Sequence, residues 1–235
     1  MSEHRRCLVV RPQPGCAATV ARVNELPRWR GVGVPLTERS ATGAAMPEGS
    51  FDRIALTSAA ALPYLDNVPR EVPVRAIGAA TATAARNAGF ANVTVGMNGD
   101  APQNGAEFGE QLGSLGSATI LYPCAQDRRP EFEARAMGAG LKVLPWPVYS
   151  TLALPNGEQR LRQAFAAPPD GVLLHAPSGA RAVTRAWPQP WHDASPLWLA
   201  YSETVLNDLP RSLPGQRLVA SRPDDAALME LLKTL

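Results

Sequence analysis

Four short stretches of small and hydroxyl-bearing residues stand where this chain could receive an anion. They are Thr57-Ser58, Gly78-Ala-Ala-Thr81, Pro177-Ser178-Gly179 and Ser202-Glu203-Thr204. Each follows an apolar run and precedes a stretch of helical character, so each is expected at the start of a helix. A helix start carries unpaired backbone N–H groups and a partial positive charge, and both favour a carboxylate or phosphate. Small residues there let the anion approach the backbone closely. Taken singly, Ser and Thr in such places are ordinary caps, each worth about 1 kcal/mol to its helix. Four of them in repeating positions point to an anion-binding site.

Other chemistry is sparse. The chain has no G-x-x-x-x-G-K-[ST] loop, no G-x-S-x-G elbow and no G-x-G-x-x-G after a strand. Gly31-Val-Gly33 runs into Pro35, a poor start for a dinucleotide-binding helix. His4, His175 and His192 show no metal-ligand spacing. His175 closes an apolar run and is expected as a hydrogen-bonded histidine at the edge of the core. Trp187 and Trp191 lie in a proline-rich loop and are expected to pack over the core, not to form a stacking platform. Cys7, Cys16 and Cys124 form no C-x-x-C pair and are expected as buried thiols. No metal and no cofactor is expected. An enzyme so equipped works by positioning, electrostatics and at most one proton donor.

The elements that must position these residues repeat along the chain. Cys7-Leu-Val-Val10 is answered by Thr119-Ile-Leu-Tyr122, and Gly31-Val-Gly-Val34 by Gly140-Leu-Lys-Val143. Asp52-Arg-Ile-Ala-Leu56 is answered by Asp170-Gly-Val-Leu-Leu174. Val74-Arg-Ala-Ile77-Gly78-Ala-Ala-Thr81 is answered by Leu197-Trp-Leu-Ala200-Tyr201-Ser202-Glu203-Thr204. Val93-Thr-Val95 with the helix from Gly105 is answered by Leu218-Val219-Ala220 with the helix from Asp225. Short apolar strands alternating with helices imply parallel sheets covered on both faces. The expected fold is α/β, with two similar lobes. In open parallel sheets ligands bind at the carboxyl ends of the strands, where the four stretches fall.

The bulk numbers exclude several classes. The 235 residues are 45% apolar and 19% charged, which suits a globular protein with a real core. The formal charge is +2 with no run of like charge, so no nucleic-acid partner is expected. No apolar run approaches the ~18 residues of a membrane helix, and the N-terminus has no signal-peptide core, so no membrane partner and a cytoplasmic location are expected.

Val9-Val-Arg11-Pro12, Ile54-Ala-Leu-Thr57-Ser58, Ala76-Ile-Gly78-Ala-Ala-Thr81-Ala82, Leu121-Tyr-Pro-Cys124, Val148-Tyr149-Ser-Thr151 and Pro177-Ser178-Gly179 are similar, in order and spacing, to the successive signatures of uroporphyrinogen-III synthases. The resemblance runs from about residue 7 to residue 232. It implies two α/β lobes joined by a two-stranded linker with a cleft between them. One lobe would hold residues 1–34 plus 153–235 and the other residues 39–146, with residues 35–38 and 147–152 as linker strands. Prolines beside both segments suit extended crossings.

The implied reaction is closure of hydroxymethylbilane, a linear tetrapyrrole rich in carboxylates, with inversion of its last ring. The resemblance implies Tyr149 as the catalytic residue. It implies Arg11, Thr57, Ser58, Gly78, Thr81, Pro177, Ser178, Gly179 and Thr204 as substrate-binding residues. A monomer is expected, because two lobes already provide a cleft within one chain, with at most a transient contact with the upstream deaminase. Tyr201, Glu203 and His175 depart from the family pattern, Tyr201 standing where the family usually has glycine. Two rival readings remain at this stage: a two-lobed, non-enzymatic module that binds tetrapyrroles or small anions, and a structural α/β protein.

Overall fold

The apolar runs become strands and the stretches between them helices. The computed structural model describes residues 4–97, 99, 101, 102, 104–114 and 116–235. In chain order the first elements are β1 (Arg5–Val9), α1 (Gly15–Asn24), β2 (Trp29–Gly33), β3 (Thr37–Ala41), β4 (Arg53–Leu56), a 3-10 turn (Ala59–Tyr64), β5 (Val74–Ala76), α2 (Ala79–Asn87) and β6 (Val93–Val95). Then follow α3 (Gly105–Gly113), β7 (Thr119–Ala125), α4 (Glu131–Gly138), β8 (Lys142–Ala153), α5 (Gly157–Ala164), β9 (Gly171–Leu174) and α6 (Pro177–Ala186). A 3-10 turn (Gln189–Trp191), β10 (Leu197–Ala200), α7 (Glu203–Leu206), β11 (Gln216–Val219) and α8 (Asp225–Lys233) complete the chain.

The chain divides into two compact units, Met1–Arg39 with Thr151–Leu235, and Ser40–Ser150. It passes from one to the other within β3 and again within β8. The first unit contains a five-stranded parallel sheet in the order β11-β10-β9-β1-β2. The second sheet runs β3-β8-β7-β4-β5-β6, with β4 to β8 parallel. Thr42 N–H donates to Val148 O (3.2 Å) and Leu154 N–H to Leu36 O (2.9 Å), the pattern of an antiparallel pair beside β3 and β8.

The central strands β4, β7, β9 and β10 are largely apolar because alternate side chains feed different cores. Leu8, Val10, Val172, Leu174, Trp198 and Ala200 pack with α5, α6 and α7 on one face of the first sheet. Cys7, Val9, Leu173 and Leu199 pack with α1 and α8 on the other. In the second sheet Ile54, Leu56, Val74 and Leu121 face α2 and the turn Ala59–Tyr64, and Ala55, Ile120 and Tyr122 face α3 and α4. In the first core Trp187 packs edge-on against Trp191 (5.4 Å between centroids) and tilted against Trp198 (5.0 Å), and all three cysteines are buried and free.

The repeat legible in the sequence is a repeat of hydrogen bonds. Asp170 N–H donates to Arg6 O (2.9 Å) while its Oδ2 accepts from Arg6 N–H (2.7 Å). Asp52 does the same to Thr119, at 2.9 and 2.7 Å. Without β3 the second sheet reads β8-β7-β4-β5-β6, matching β2-β1-β9-β10-β11 strand for strand. Only the Asp52/Asp170 strand pairing keeps its register: Cys7 answers Ile120, Gly31 answers Val143 and Val93 answers Arg217, and the pairing of Val74 with Leu197 also shifts by one residue. Ile77 N–H donates to Leu56 O (2.9 Å) and Tyr201 N–H to Leu174 O (3.1 Å), so Tyr201 corresponds to Ile77. The helix caps Gly78 and Ser202 then correspond to each other, and Thr81 and Thr204 do not.

Candidate functional site

In the second unit the expected residues gather at the carboxyl ends of β4 and β5, which are neighbours with Leu56 opposite Ala76. Thr57 leaves β4, and its Oγ1 shares a hydrogen bond with the Tyr122 hydroxyl (3.2 Å). Burial pushes the Tyr122 phenol up to about 12, only partly offset by that bond, so it stays protonated. Ser58 Oγ accepts from Ala60 N–H (3.2 Å) and so caps the turn Ala59–Tyr64. Gly78 caps α2 with extended backbone, and a Cβ there would meet nothing within 4 Å. The first turn of α2 therefore opens onto free space. Ala79 and Ala80 are exposed and Thr81 is buried in the same turn.

Tyr149 lies on β8, 7% exposed, where the pairing with β7 slips at Cys124/Ala125. Its carbonyl accepts from Gln126 N–H (2.7 Å). Its ring is stacked on Tyr64, 5.9 Å between centroids and 12° from parallel. Tyr64 ends the turn that Ser58 begins, so Tyr149 and the Thr57-Ser58 corner are tied together inside one unit.

In the first unit Arg11, Pro177, Ser178, Gly179 and Thr204 likewise lie beyond the carboxyl ends of β1, β9 and β10. Pro177 takes the first position of α6, where its missing N–H costs nothing, and Gly179 N–H donates to Ala176 O (3.0 Å). Thr204 stands in the four-residue helix α7. Arg11 is engaged inside the unit: Nη1 donates to Asp225 Oδ1 (3.1 Å) and to Thr19 Oγ1 (3.3 Å). The Tyr201 hydroxyl donates to the same Asp225 Oδ1. His175, with 4% of its side chain exposed, packs edge-on against Tyr201 (4.8 Å). Its Nε2 lies 3.5 Å from Asp225 Oδ1, too long and too poorly aligned for a good hydrogen bond, so the hydrogen-bonded histidine expected from the sequence is instead a close polar neighbour.

The charges in this cluster follow from its burial. Burial raises the Asp225 carboxyl, but contacts from His175 and Tyr201 and the Arg11 charge outweigh it, so the group sits well below the usual carboxylate range. Burial holds His175 below the ordinary histidine value, and Asp225 offsets only part of that, so the ring is neutral. Burial first, and the Asp225 contact second, push the Tyr201 phenol above its ordinary range.

Sequence reasoning missed Asp225, Tyr64 and Tyr122 as partners of the expected residues. The doublet Asp224-Asp225 at a helix start was the available signal for Asp225. Asp224 caps α8 by accepting from Ala227 N–H (2.8 Å), which leaves the second carboxylate free to turn inward. Among the described residues no three His, Cys, Asp or Glu side chains gather as a metal would need, and no helix is long and apolar enough to cross a membrane.

Two parallel sheets, each with helix starts and hydroxyl side chains at its strand ends, define a two-unit α/β protein. Comparison with known proteins sharpens that class. A family model described as uroporphyrinogen-III synthase HemD matches residues 32–230, and the chain belongs to this family. Among solved structures, uroporphyrinogen-III synthetase from Helicobacter pylori is similar at 16% identity, covering 98% of this chain and 99% of that one with a TM-score of 0.68. A mutant uroporphyrinogen III synthase from Thermus thermophilus is similar at 17% identity, covering 98% of both chains with a TM-score of 0.58. These likenesses show a shared fold. Among curated proteins none matches.

Proposed function

We propose that this chain carries out the cyclisation of its family through Tyr149 and the two sets of strand-end residues. The substrate is hydroxymethylbilane and the product uroporphyrinogen III. Tyr149 donates a proton to the departing hydroxyl, the C–O bond breaks, and water leaves an azafulvene. The substituted carbon of the last pyrrole attacks that electrophile and gives a spiro intermediate. The spiro centre opens and recloses with the last ring inverted, and a proton is lost. Without catalysis the same precursor closes directly to the type I isomer. The protein's task is therefore to hold the ends of a flexible chain near the productive geometry, which can supply several kcal/mol.

The observation that carries this reading is the family match over residues 32–230. The substrate's carboxylates are divided between Thr57, Ser58, Gly78 and Thr81 in the second unit and Arg11, Pro177, Ser178, Gly179 and Thr204 in the first. Open helix starts such as that of α2 bind carboxylates through backbone N–H groups, with no net charge required. The crossings at residues 35–38 and 147–152 act as the hinge strands. The protein acts in the cytoplasm as a monomer and meets the deaminase only transiently.

The test is a coupled assay in which porphobilinogen and purified deaminase generate hydroxymethylbilane in place. Products are oxidised and the type I and type III isomers separated. Type III in the presence of the protein supports the reading, and type I alone from folded protein overturns it. Tyr149→Phe removes only the donated proton, and full turnover by that variant rules out the donor role. Thr81→Val and Thr204→Val should raise KM more than they lower kcat if those contacts bind substrate and transition state alike.

A further inference from the structure

We propose that Tyr64 is a positioning residue for Tyr149 and that its ring, not its hydroxyl, governs how faithfully the last pyrrole is inverted. The inference rests on the reading of Tyr149 given above. Tyr149 stands where β8 slips against β7, at the irregularity between Cys124 and Ala125. A slipped register loosens the ladder and re-aims the side chain beside it, so the strand alone does not fix the ring. Tyr64 adds a constraint from outside the ladder, lying nearly parallel to Tyr149 at 5.9 Å.

The element that holds Tyr64 is stiff. Pro63 fixes its own φ within the turn, Leu65 N–H donates to Leu62 O (3.1 Å), and Ala60, Ala61, Leu62 and Leu65 are all buried beneath it. The same turn starts at Ser58, whose hydroxyl caps it, directly after Thr57. One rigid arm of seven residues, Ser58 to Tyr64, thus runs from a proposed carboxylate-binding corner to the proposed proton donor. Among the described residues the Tyr64 hydroxyl has no hydrogen-bond partner, so stacking is the contact through which it acts.

The test uses the full chain in the coupled assay, with thermal melts of each variant. Tyr64→Leu is expected to lower kcat by about three- to tenfold, the scale of a lost aromatic pair, with little change in KM. It is also expected to raise the share of type I product. Tyr64→Phe should rescue most of both losses. On a Tyr149→Phe background Tyr64→Leu should add almost nothing to the loss in kcat, because both act through one group. Unchanged kcat and isomer ratio in Tyr64→Leu would overturn the proposal, as would equal losses in the Phe and Leu variants or independent losses in the double variant. Where the Leu variant melts below the assay temperature, Tyr64→Met, similar in length but without a flat face, replaces it. Full turnover by Tyr149→Phe strikes the donor reading itself, whereas an impaired Tyr149→Phe beside an unimpaired Tyr64→Leu strikes only this inference.

Discussion

Asp225 gathers four side chains that the sequence presents as unrelated, the outermost being Arg22, 3.8 Å from its Oδ2. Arg11, His175 and Tyr201 reach it from the ends of β1, β9 and β10. Through the repeat, the corresponding positions of the second unit are Cys124, Thr57, Ile77 and, for Asp225 itself, Gly105. All four change together, so the first unit replaces a plain strand-end corner with an internal ion pair. Arg11 and Asp225 have 22% and 26% of their side chains exposed, so solvent screens the pair only in part. Asp225→Asn should therefore destabilise the protein by about 1–3 kcal/mol, less than a fully buried pair would lose, as read from denaturant midpoints. The cluster also sets a pH dependence. His175 is held below its ordinary value of 6.5, so below that pH the unfolded chain takes up its proton first and stability falls. Asp225 is held below the carboxylate range, so its contribution is present above that range and is also lost on acidification. Arg11, Asp225 and Tyr201 are the charged or titratable groups facing His175. The melting temperature should fall from pH 7 to pH 5, and His175→Gln should flatten that slope; an unaltered slope would assign it elsewhere. The caps at Ser58 and Gly78 were legible because capping is local. The Asp225 cluster was not, because it joins residues more than two hundred positions apart and depends on which strands become neighbours.

At the scale of elements, the apolar runs predicted the parallel strands because both faces of each are buried. The run lengths could not predict the register. An apolar run ends where burial ends, whereas the register is set by hydrogen bonds such as Tyr201 N–H to Leu174 O, and it displaces four of the five pairings by one to three residues. The strand β3 was legible only as an extended crossing, since Thr37-Glu-Arg-Ser-Ala41 has no apolar face to announce a sheet edge. Helix packing left a clearer mark. Gly109 of α3 lies so close to α4 that a Cβ there would stand 2.7 Å from Phe132 O and 2.8 Å from Ala136 N. Both contacts are backbone, so neither can swing aside. Gly109→Val should push α3 off α4 and cost about 1–3 kcal/mol, on the scale of core overpacking, whatever it gains in helix propensity. Equilibrium unfolding checks this, and a stabilised Gly109→Val would mean that the two helices part at little cost.

At the scale of the whole molecule, the two units share one strand order but enter it at different points. In the second, β4-β5-β6 precede β7-β8; in the first, β1-β2 come before the excursion and β9-β10-β11 after it. The first unit is thus the second with its chain order rotated, opened where the excursion leaves. That relation has a physical consequence, because the two ends of the excursion meet. Leu154 N–H donates to Leu36 O at 2.9 Å, so the residues flanking segment 37–153 are already hydrogen-bonded neighbours. A short turn should close that gap, since two residues held as an antiparallel pair need only a tight loop to connect them. The first unit has cores on both faces of its own sheet, and none of their residues falls within segment 37–153. A protein in which Leu36 and Leu154 are joined through Asn-Gly should therefore fold cooperatively, with far-ultraviolet circular dichroism of a mixed α/β protein and a single melting transition. Segment 37–153, which keeps β3 paired beside β8 and the whole of both second-unit cores, should fold likewise. Neither piece should make type III product alone, because the proposed carboxylate contacts are split between them. If the excised first unit gives a broad, non-cooperative melt while segment 37–153 melts sharply, the continuous unit is the part that folds by itself and the discontinuous one depends on it.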